Sequence, residues 1–180
     1  GTEFISFHLF MIKAIISDLG NVIVPFDWSV FSRRLSKYCQ LSEEEIRSLV
    51  VDSKLEGDYE KGKMSSKEFY KNVVKITNAK ISYKKFCTIW SDIFTINKPY
   101  IEILRKLRNR YPLFLLSNTN DIHFEYVRKK VKLLSHFKGL ILSYKVGLAK
   151  PDTKIFQKAL KLARCKPAEC VYIDDRVKYS

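Results

Sequence analysis

An α/β fold built on a parallel sheet, with a small helical unit inserted after the first strand, is predicted by three observations. The run Ile12, Ala14, Ile15, Ile16 stops abruptly at Asp18-Leu19-Gly20, the pattern of a buried parallel strand that ends in a turn. From Phe26 to about Asn97 the apolar positions follow a helical period, with no convincing buried strand among them. After Lys98 strand-like and helix-like stretches alternate, which implies right-handed crossovers and a parallel sheet. The chain therefore divides into a first core piece over residues 11–25, a helical insertion over 26–97, and a second core piece over 98–180.

Ile12 to Ser17 is the first strand, and Val22 to Val24 reads as a second strand-like piece that ends at Pro25. Three or four helices are expected in the insertion. Two of them open on capping boxes, Ser42-x-x-Glu45 and Ser65-x-x-Glu68, where the serine caps a backbone amide and the glutamate reaches back. Pro99 suits the first turn of a helix carrying Ile101, Leu104 and Leu107. Leu113 to Leu116 is then a buried strand, and Asp121 opens a helix. Leu140 to Leu142, a helix from Asp152 to Ala163, and Cys170 to Ile173 complete the alternation.

With 180 residues, the chain is long enough to bury roughly 70% of its unfolded surface in one self-sufficient domain. Apolar residues make up 46% and charged residues 29%, and no low-complexity tract breaks the pattern, so the chain is expected to fold throughout. No apolar run approaches the ~20 residues that span a bilayer, which excludes membrane insertion. Cys39, Cys87, Cys165 and Cys170 contain no Cys-x-x-Cys and form no zinc-ligand spacing with His8, His123 and His136, so reduced thiols and a cytoplasmic location are expected. Gly1 to Phe10, with no Lys or Arg, reads as an added segment or upstream read-through rather than a signal peptide, with Met11 as the natural start. The net charge of +14 attracts polyanions, but the basic residues are scattered over helical faces and no nucleic-acid-binding motif accompanies them. A small phosphorylated molecule is the expected partner rather than nucleic acid.

Four positions carry chemistry, each at or near the end of an expected strand, where parallel sheets place their ligands. Asp18 is positioned to attack phosphorus and form an aspartyl-phosphate. Its charge repels a phosphate dianion, so the reaction demands a divalent cation, and Asp174 and Asp175 supply hard oxygen ligands that suit Mg²⁺. Lys150 neutralises phosphate charge, while the Ser117 hydroxyl and the Asn118 amide offer hydrogen bonds to its oxygens. Each residue alone has an ordinary reading as a cap, turn or loop residue. Together they have no economical structural role.

The ordered motifs Asp18-Leu19-Gly20-Asn21-Val22, Ser117-Asn118-Thr119-Asn120, Lys150-Pro151 and Asp174-Asp175 resemble those of the haloacid dehalogenase (HAD) superfamily, from Ile12 to the last residue. The resemblance implies a Rossmann-like core and makes the insertion a small helical cap, in which Tyr59-Glu60-Lys61-Gly62-Lys63-Met64-Ser65 is similar to a recurring cap turn. Asp-Leu-Gly-Asn-Val and Ser-Asn-Thr-Asn-x-x-His look closest to the sugar-phosphate phosphatases, including those acting on glucose 1-phosphate. By the same resemblance Asp175 binds the metal directly with Asp174 as its support, and the Gly20 carbonyl is a further metal ligand.

The chain departs from that pattern at Gly20, where most phosphatases of the superfamily carry a second aspartate that transfers protons; glycine cannot. His123 and Asp27 are candidate substitutes, and His123 is also a candidate substrate contact, although the ordinary position for such a histidine is a helix surface. Anomeric or acyl phosphates, whose leaving groups need little help, are compatible with the missing acid. Dehalogenases lack that acid too, but an Asp174-Asp175 pair serves a magnesium enzyme better than a halide-expelling one. Trp28, Phe26 and Tyr59 are expected to pack the cap rather than line a pocket. The resemblance also implies a further helix and strand beyond the fourth motif, with Tyr179 where relatives carry Asn or Asp. Without that strand the sheet edge would favour self-association, so a monomer or a homodimer is expected. The expected activity is that of a phosphoric monoester phosphatase, with a weakly active phosphate-binding relative as the alternative.

Overall fold

The computed structural model describes residues 11–176, so the segment up to Phe10 and the position of Tyr179 lie outside the described residues. Four parallel strands, β1 (Ala14–Ser17), β2 (Leu113–Ser117), β3 (Gly139–Leu142) and β4 (Cys170–Ile173), form one sheet in the order β3-β2-β1-β4. The chain steps outward from β1 to β2 and β3, then returns to place β4 on the other side of β1. That reversal puts the switch point, the preferred ligand site of open α/β sheets, at the C-terminal end of β1. Asp18 is the first residue beyond it, tied to β4 by its amide, which donates to the Ile173 carbonyl at 2.8 Å.

Period-two alternation sorts the strand residues onto two faces. Ile15, Leu113 and Leu115 pack on one side with Leu104, Phe124 and Val127, from α6 (Lys98–Leu107) and α7 (Asp121–Lys130). Ala14, Ile16, Phe114, Leu116 and Ile141 pack on the other side with Ile155 and Ala159 of α9 (Thr153–Ala163). Both faces are covered, which is why the strands read as unbroken apolar runs. Burying each of the Ile, Leu, Val and Phe side chains among these stabilises by about 1.5–3 kcal/mol.

The insertion has its own apolar cluster, centred on Phe31, Phe69, Phe86 and Trp90. It contains five helices, α1 (Trp28–Leu35), α2 (Glu43–Ile46), α3 (Lys54–Glu60), α4 (Ser66–Thr77) and α5 (Tyr83–Ser91), more than the three or four expected. The excess arises because α2 continues directly into a π-helical turn over Arg47–Val51 and only Asp52 and Ser53 separate that from α3, a short break that a period-based reading merges. Both capping boxes form, on Ser42 with Glu45 and on Ser65 with Glu68. Entry and exit of the insertion run side by side, with Thr95 N–H donating to the Pro25 carbonyl at 2.8 Å and Asn97 N–H to that of Ile23 at 3.0 Å.

Two expectations are corrected. Val22 to Val24 is not a strand: the segment after Asp18 is a tight turn closed by a Gly20–Val24 bridge, with Asn21 at φ 55°. Its apolar side chains are buried as a turn folded back on Leu19, whose carbonyl accepts the amides of Ile23 and Val24. Cys165 and Cys170 are joined in a disulfide instead of remaining reduced, leaving Cys39 and Cys87 as thiols. The end of α9 and the start of β4 meet there, a proximity that spacing alone does not reveal. Among the described residues β4 is an edge strand, with Val171 exposed. Among the described residues, no helix is long and apolar enough to cross a membrane.

Candidate active site

The site gathers where β1, β2 and β4 end. Lys150, on the loop between α8 (Ser143–Val146) and α9, extends its ammonium beneath the strand ends, 2.9 Å from Asp18 Oδ2 and 2.6 Å from Asp174 Oδ2. Its side chain is only 2% exposed and that of Asp174 fully enclosed, so this bridge operates in a low-dielectric setting where charge pairing is strong. The peptide joining Lys150 to Pro151 is cis.

Asp18 is buried, and loss of water pushes its carboxyl up, against the opposing pull of Lys150 and of the Leu19 amide. Burial acts in the same direction on Asp174, but there Lys150, Tyr172 and the Arg176 amide outweigh it and hold the carboxyl below its ordinary range. Both oxygens of Asp174 are engaged, Oδ1 by the Arg176 N–H at 2.9 Å and Oδ2 by Lys150 and the Tyr172 hydroxyl. Asp175 projects beside them, its Oδ2 accepting from Asn21 Nδ2 at 3.2 Å. One oxygen from each of Asp18, Asp174 and Asp175 falls within a 4.8 Å span, a cluster of hard donors that fits a small divalent cation.

A cavity of about 110 Å³ opens onto these groups and is lined by Asp18, Gly20, Ser117, Lys150 and Asp175 together with Phe26, Trp28 and Glu60 of the insertion. Ser117 borders the cavity at the end of β2, almost fully buried. Phe26 and Trp28 border it as well as packing the insertion, whereas the aromatic Tyr59 packs against Phe69.

Three residues do something other than the sequence suggested. The Asn118 side chain is spent on the protein: its Oδ1 accepts the Lys150 N–H at 2.7 Å and its Nδ2 donates to the Lys150 carbonyl at 3.1 Å. It clamps the lysine loop, and the residue also borders the cavity. His123 is buried, not on the helix surface, because Trp28, Trp90 and Phe94 surround its ring. Nε2 lies 2.9 Å from the Trp90 carbonyl and Nδ1 lies 3.0 Å from Asn120 Nδ2. A carbonyl only accepts, so Nε2 carries the proton and Nδ1 accepts from the amide. Burial pushes the imidazole down to about 3, leaving a neutral ring whose nitrogens are both occupied; it borders the cavity but holds no proton for the reaction. Asp27 is the exposed N-cap of α1, its carboxyl lowered by hydrogen bonds from the Ser29 hydroxyl and amide, the wrong direction for a proton donor.

Gly20 has a steric reason. A Cβ there would lie 2.9 Å from Cε1 of Phe26, so the aromatic ring fills the space into which a second acid would project. The sequence reading gave no role to Tyr172, Asn21, Arg176 or Glu60, although each touches an acid of the site or borders the cavity. Tyr172 sits in an apolar strand and reads as core; Glu60 lies in the cap turn noted above, which carried no chemical assignment.

Residues 12–178 match the family model of haloacid dehalogenase-like hydrolases, and the chain belongs to that family. It is 26% identical over 172 residues to the D-ribitol-5-phosphate phosphatase of Bacteroides thetaiotaomicron, covering 92% of this chain and 84% of that protein. A HAD family enzyme of the same organism, crystallised with magnesium and inorganic phosphate, superposes with a TM-score of 0.83 at 29% identity, over 92% of this chain and 86% of the other. An L-2-haloacid dehalogenase from Xanthobacter autotrophicus, covering 90% of this chain and 69% of its own, shares the fold at a TM-score of 0.63 and 14% identity.

Proposed function

We propose that this hydrolase is a Mg²⁺-dependent phosphatase acting on a small phosphorylated metabolite, a sugar or polyol phosphate, through an aspartyl-phosphate intermediate. The observation that carries this reading is the buried Lys150 ammonium bridging Asp18 and Asp174 beside Asp175. Three carboxylates outnumber the two cations beside them, Lys150 and Arg176, and leave a net negative site that would repel phosphate, so a metal cation is required for binding. Asp18 and Asp175 would hold Mg²⁺, joined by the Gly20 carbonyl, with Asp174 steadying the cluster because its own oxygens are engaged by Lys150, Tyr172 and Arg176. When bound, the ion neutralises phosphate oxygens and supports in-line attack.

Asp18 then attacks phosphorus as the bridging P–O bond breaks and the leaving oxygen departs as an alkoxide that takes up a proton. Lys150 and the Ser117 hydroxyl hold the non-bridging oxygens as charge builds on them. Water hydrolyses the aspartyl-phosphate in the second half. The cavity is small beside the ~300–1,000 Å³ of usual ligand clefts, so a whole sugar phosphate enters only when the helical insertion, acting as a cap, swings away from the strand ends. The Bacteroides phosphatase similarity favours a linear polyol phosphate among the substrates. A dehalogenase is disfavoured by the clustered acids.

The test is phosphate release from sugar, polyol and acyl phosphates, with Mg²⁺ or EDTA, by wild type and Asp18→Asn. Release that needs the metal and disappears in Asp18→Asn supports the proposal. Silence across the panel with phosphate still bound would instead mark a non-catalytic relative.

A further inference from the structure

Glu60 ends α3 and borders the same cavity as Asp18, Ser117 and Lys150, but reaches it from the helical insertion rather than from the sheet. The turn that bears it is held against the core at three places. Gly62, at φ +68°, lies so close to the core that a Cβ there would come within 2.1 Å of the Tyr144 carbonyl oxygen. The Tyr59 hydroxyl meets Ser66 Oγ at 2.8 Å and accepts from the Ile122 amide at 3.4 Å, and Ser66 Oγ donates to Asp121 Oδ2 at 3.2 Å. Glu60 is thereby placed over the site by contacts to the start of α7 and to α8. The carboxyls bordering the cavity among the described residues are Asp18, Asp175 and Glu60. Asp18 is the nucleophile and Asp175 faces the cation cluster, while Phe26 occupies the space beside Gly20.

We infer that Glu60 is the proton donor and acceptor of this site, supplied by the cap in place of the side chain that Gly20 lacks. As the Asp18 oxygen bonds to phosphorus and the bridging P–O bond breaks, the Glu60 carboxyl gives its proton to the departing alkoxide oxygen. The resulting carboxylate takes a proton from the water that attacks the aspartyl-phosphate, which releases inorganic phosphate and restores Asp18 and the Glu60 acid. The local environment suits this cycle: burial pushes the Glu60 carboxyl up, Asp18 adds to the rise, and Glu56, Arg176 and Lys150 oppose it. Glu56, its neighbour one helical turn back, is itself pushed up to about 9 by burial and by Glu60, with Asp52 adding and Arg176 opposing, so it presents a neutral carboxyl to Glu60.

This inference rests on the phosphatase reading, and two leaving groups separate the two. A polyol phosphate such as D-ribitol 5-phosphate needs its alkoxide protonated; p-nitrophenyl phosphate does not. Glu60→Gln is expected to lower kcat/KM for the polyol phosphate by roughly 10²–10⁴-fold while keeping the burst of p-nitrophenol that reports aspartyl-phosphate formation. In wild type, kcat/KM for the polyol phosphate should fall as pH rises through the Glu60 pKa, a limb absent with p-nitrophenyl phosphate, and that comparison needs no variant to fold. An active wild type whose Glu60→Gln form keeps polyol turnover, changes KM alone, or loses the burst equally overturns the role of Glu60 and spares the phosphatase reading. A wild type silent on both esters overturns both.

Discussion

His123 Nε2 donates to the Trp90 carbonyl at 2.9 Å while the two rings stack at 5.0 Å, joining α7 of the core to α5 of the insertion. Trp90 Nε1 in turn approaches Asn120 Oδ1 at 3.4 Å, and that oxygen also caps α7 through the His123 amide at 3.1 Å. Asn120 and His123 therefore fasten the insertion to the core, with both ring nitrogens of His123 occupied.

The fastening makes stability depend on pH in a stated direction. His123 titrates near 6.5 when unfolded and is pushed down to about 3 in the fold, so between those values the unfolded chain binds the extra proton. Its contribution is fully present above pH 6.5 and is lost as pH falls toward 3, at up to ~1.4 kcal/mol per pH unit. Urea unfolding from pH 7 to pH 4 should show a shallower decline for His123→Gln than for wild type, the difference isolating this group. Parallel declines would remove His123 as its source.

Asn118 predicts a loss of activity without loss of fold. Asn118→Ala removes both side-chain bonds to the Lys150 backbone, freeing the loop to shift the ammonium. A displacement on the order of 1 Å costs up to about 10²-fold in rate, so kcat should fall ~10–100-fold while thermal unfolding moves little. A variant with wild-type kcat would show that the loop holds Lys150 unaided.

The sheet was legible in the sequence because its central strands are covered on both faces, so Leu113 to Leu116 stands out as a fully apolar run, while the partly exposed Cys170 to Ile173 is marked by the acids that follow it. The four motif positions follow from that sheet, since each marks the end of a strand or the loop that folds over it. What stayed hidden depended on partners distant in the chain. The roles of Asn118 and His123 are set by Lys150 and Trp90, 32 and 33 residues away, and no local period encodes those contacts. Val22 to Val24 misled for the opposite reason: burial in a tight turn and burial in a short strand demand the same apolar residues.

Gly20 should resist restoration of the familiar second acid. In Gly20→Asp the new Cβ meets the Phe26 ring at 2.9 Å, and displacing that ring is expected to cost about 1–3 kcal/mol. Phe26→Leu in the same chain should recover part of that loss by giving the carboxylate room. Chemical denaturation of the two variants and the double variant checks the coupling; simple additivity would mean that the ring already yields.

Lys150 should be indispensable for two separable reasons. Lys150→Met leaves Asp18 and Asp174 facing one another without their shared cation, and breaking a buried pair in this way costs ~3–5 kcal/mol. It also removes the charge that holds phosphate. Adding Asp174→Asn relieves the stranded carboxylate, since the amide oxygen still accepts the Arg176 N–H while its Nδ2 faces the Tyr172 hydroxyl as a donor, and so should return part of the stability but none of the turnover. Denaturation midpoints beside phosphate-release rates test both halves, and a double variant that regained activity would mean that phosphate is held by the remaining groups without this lysine.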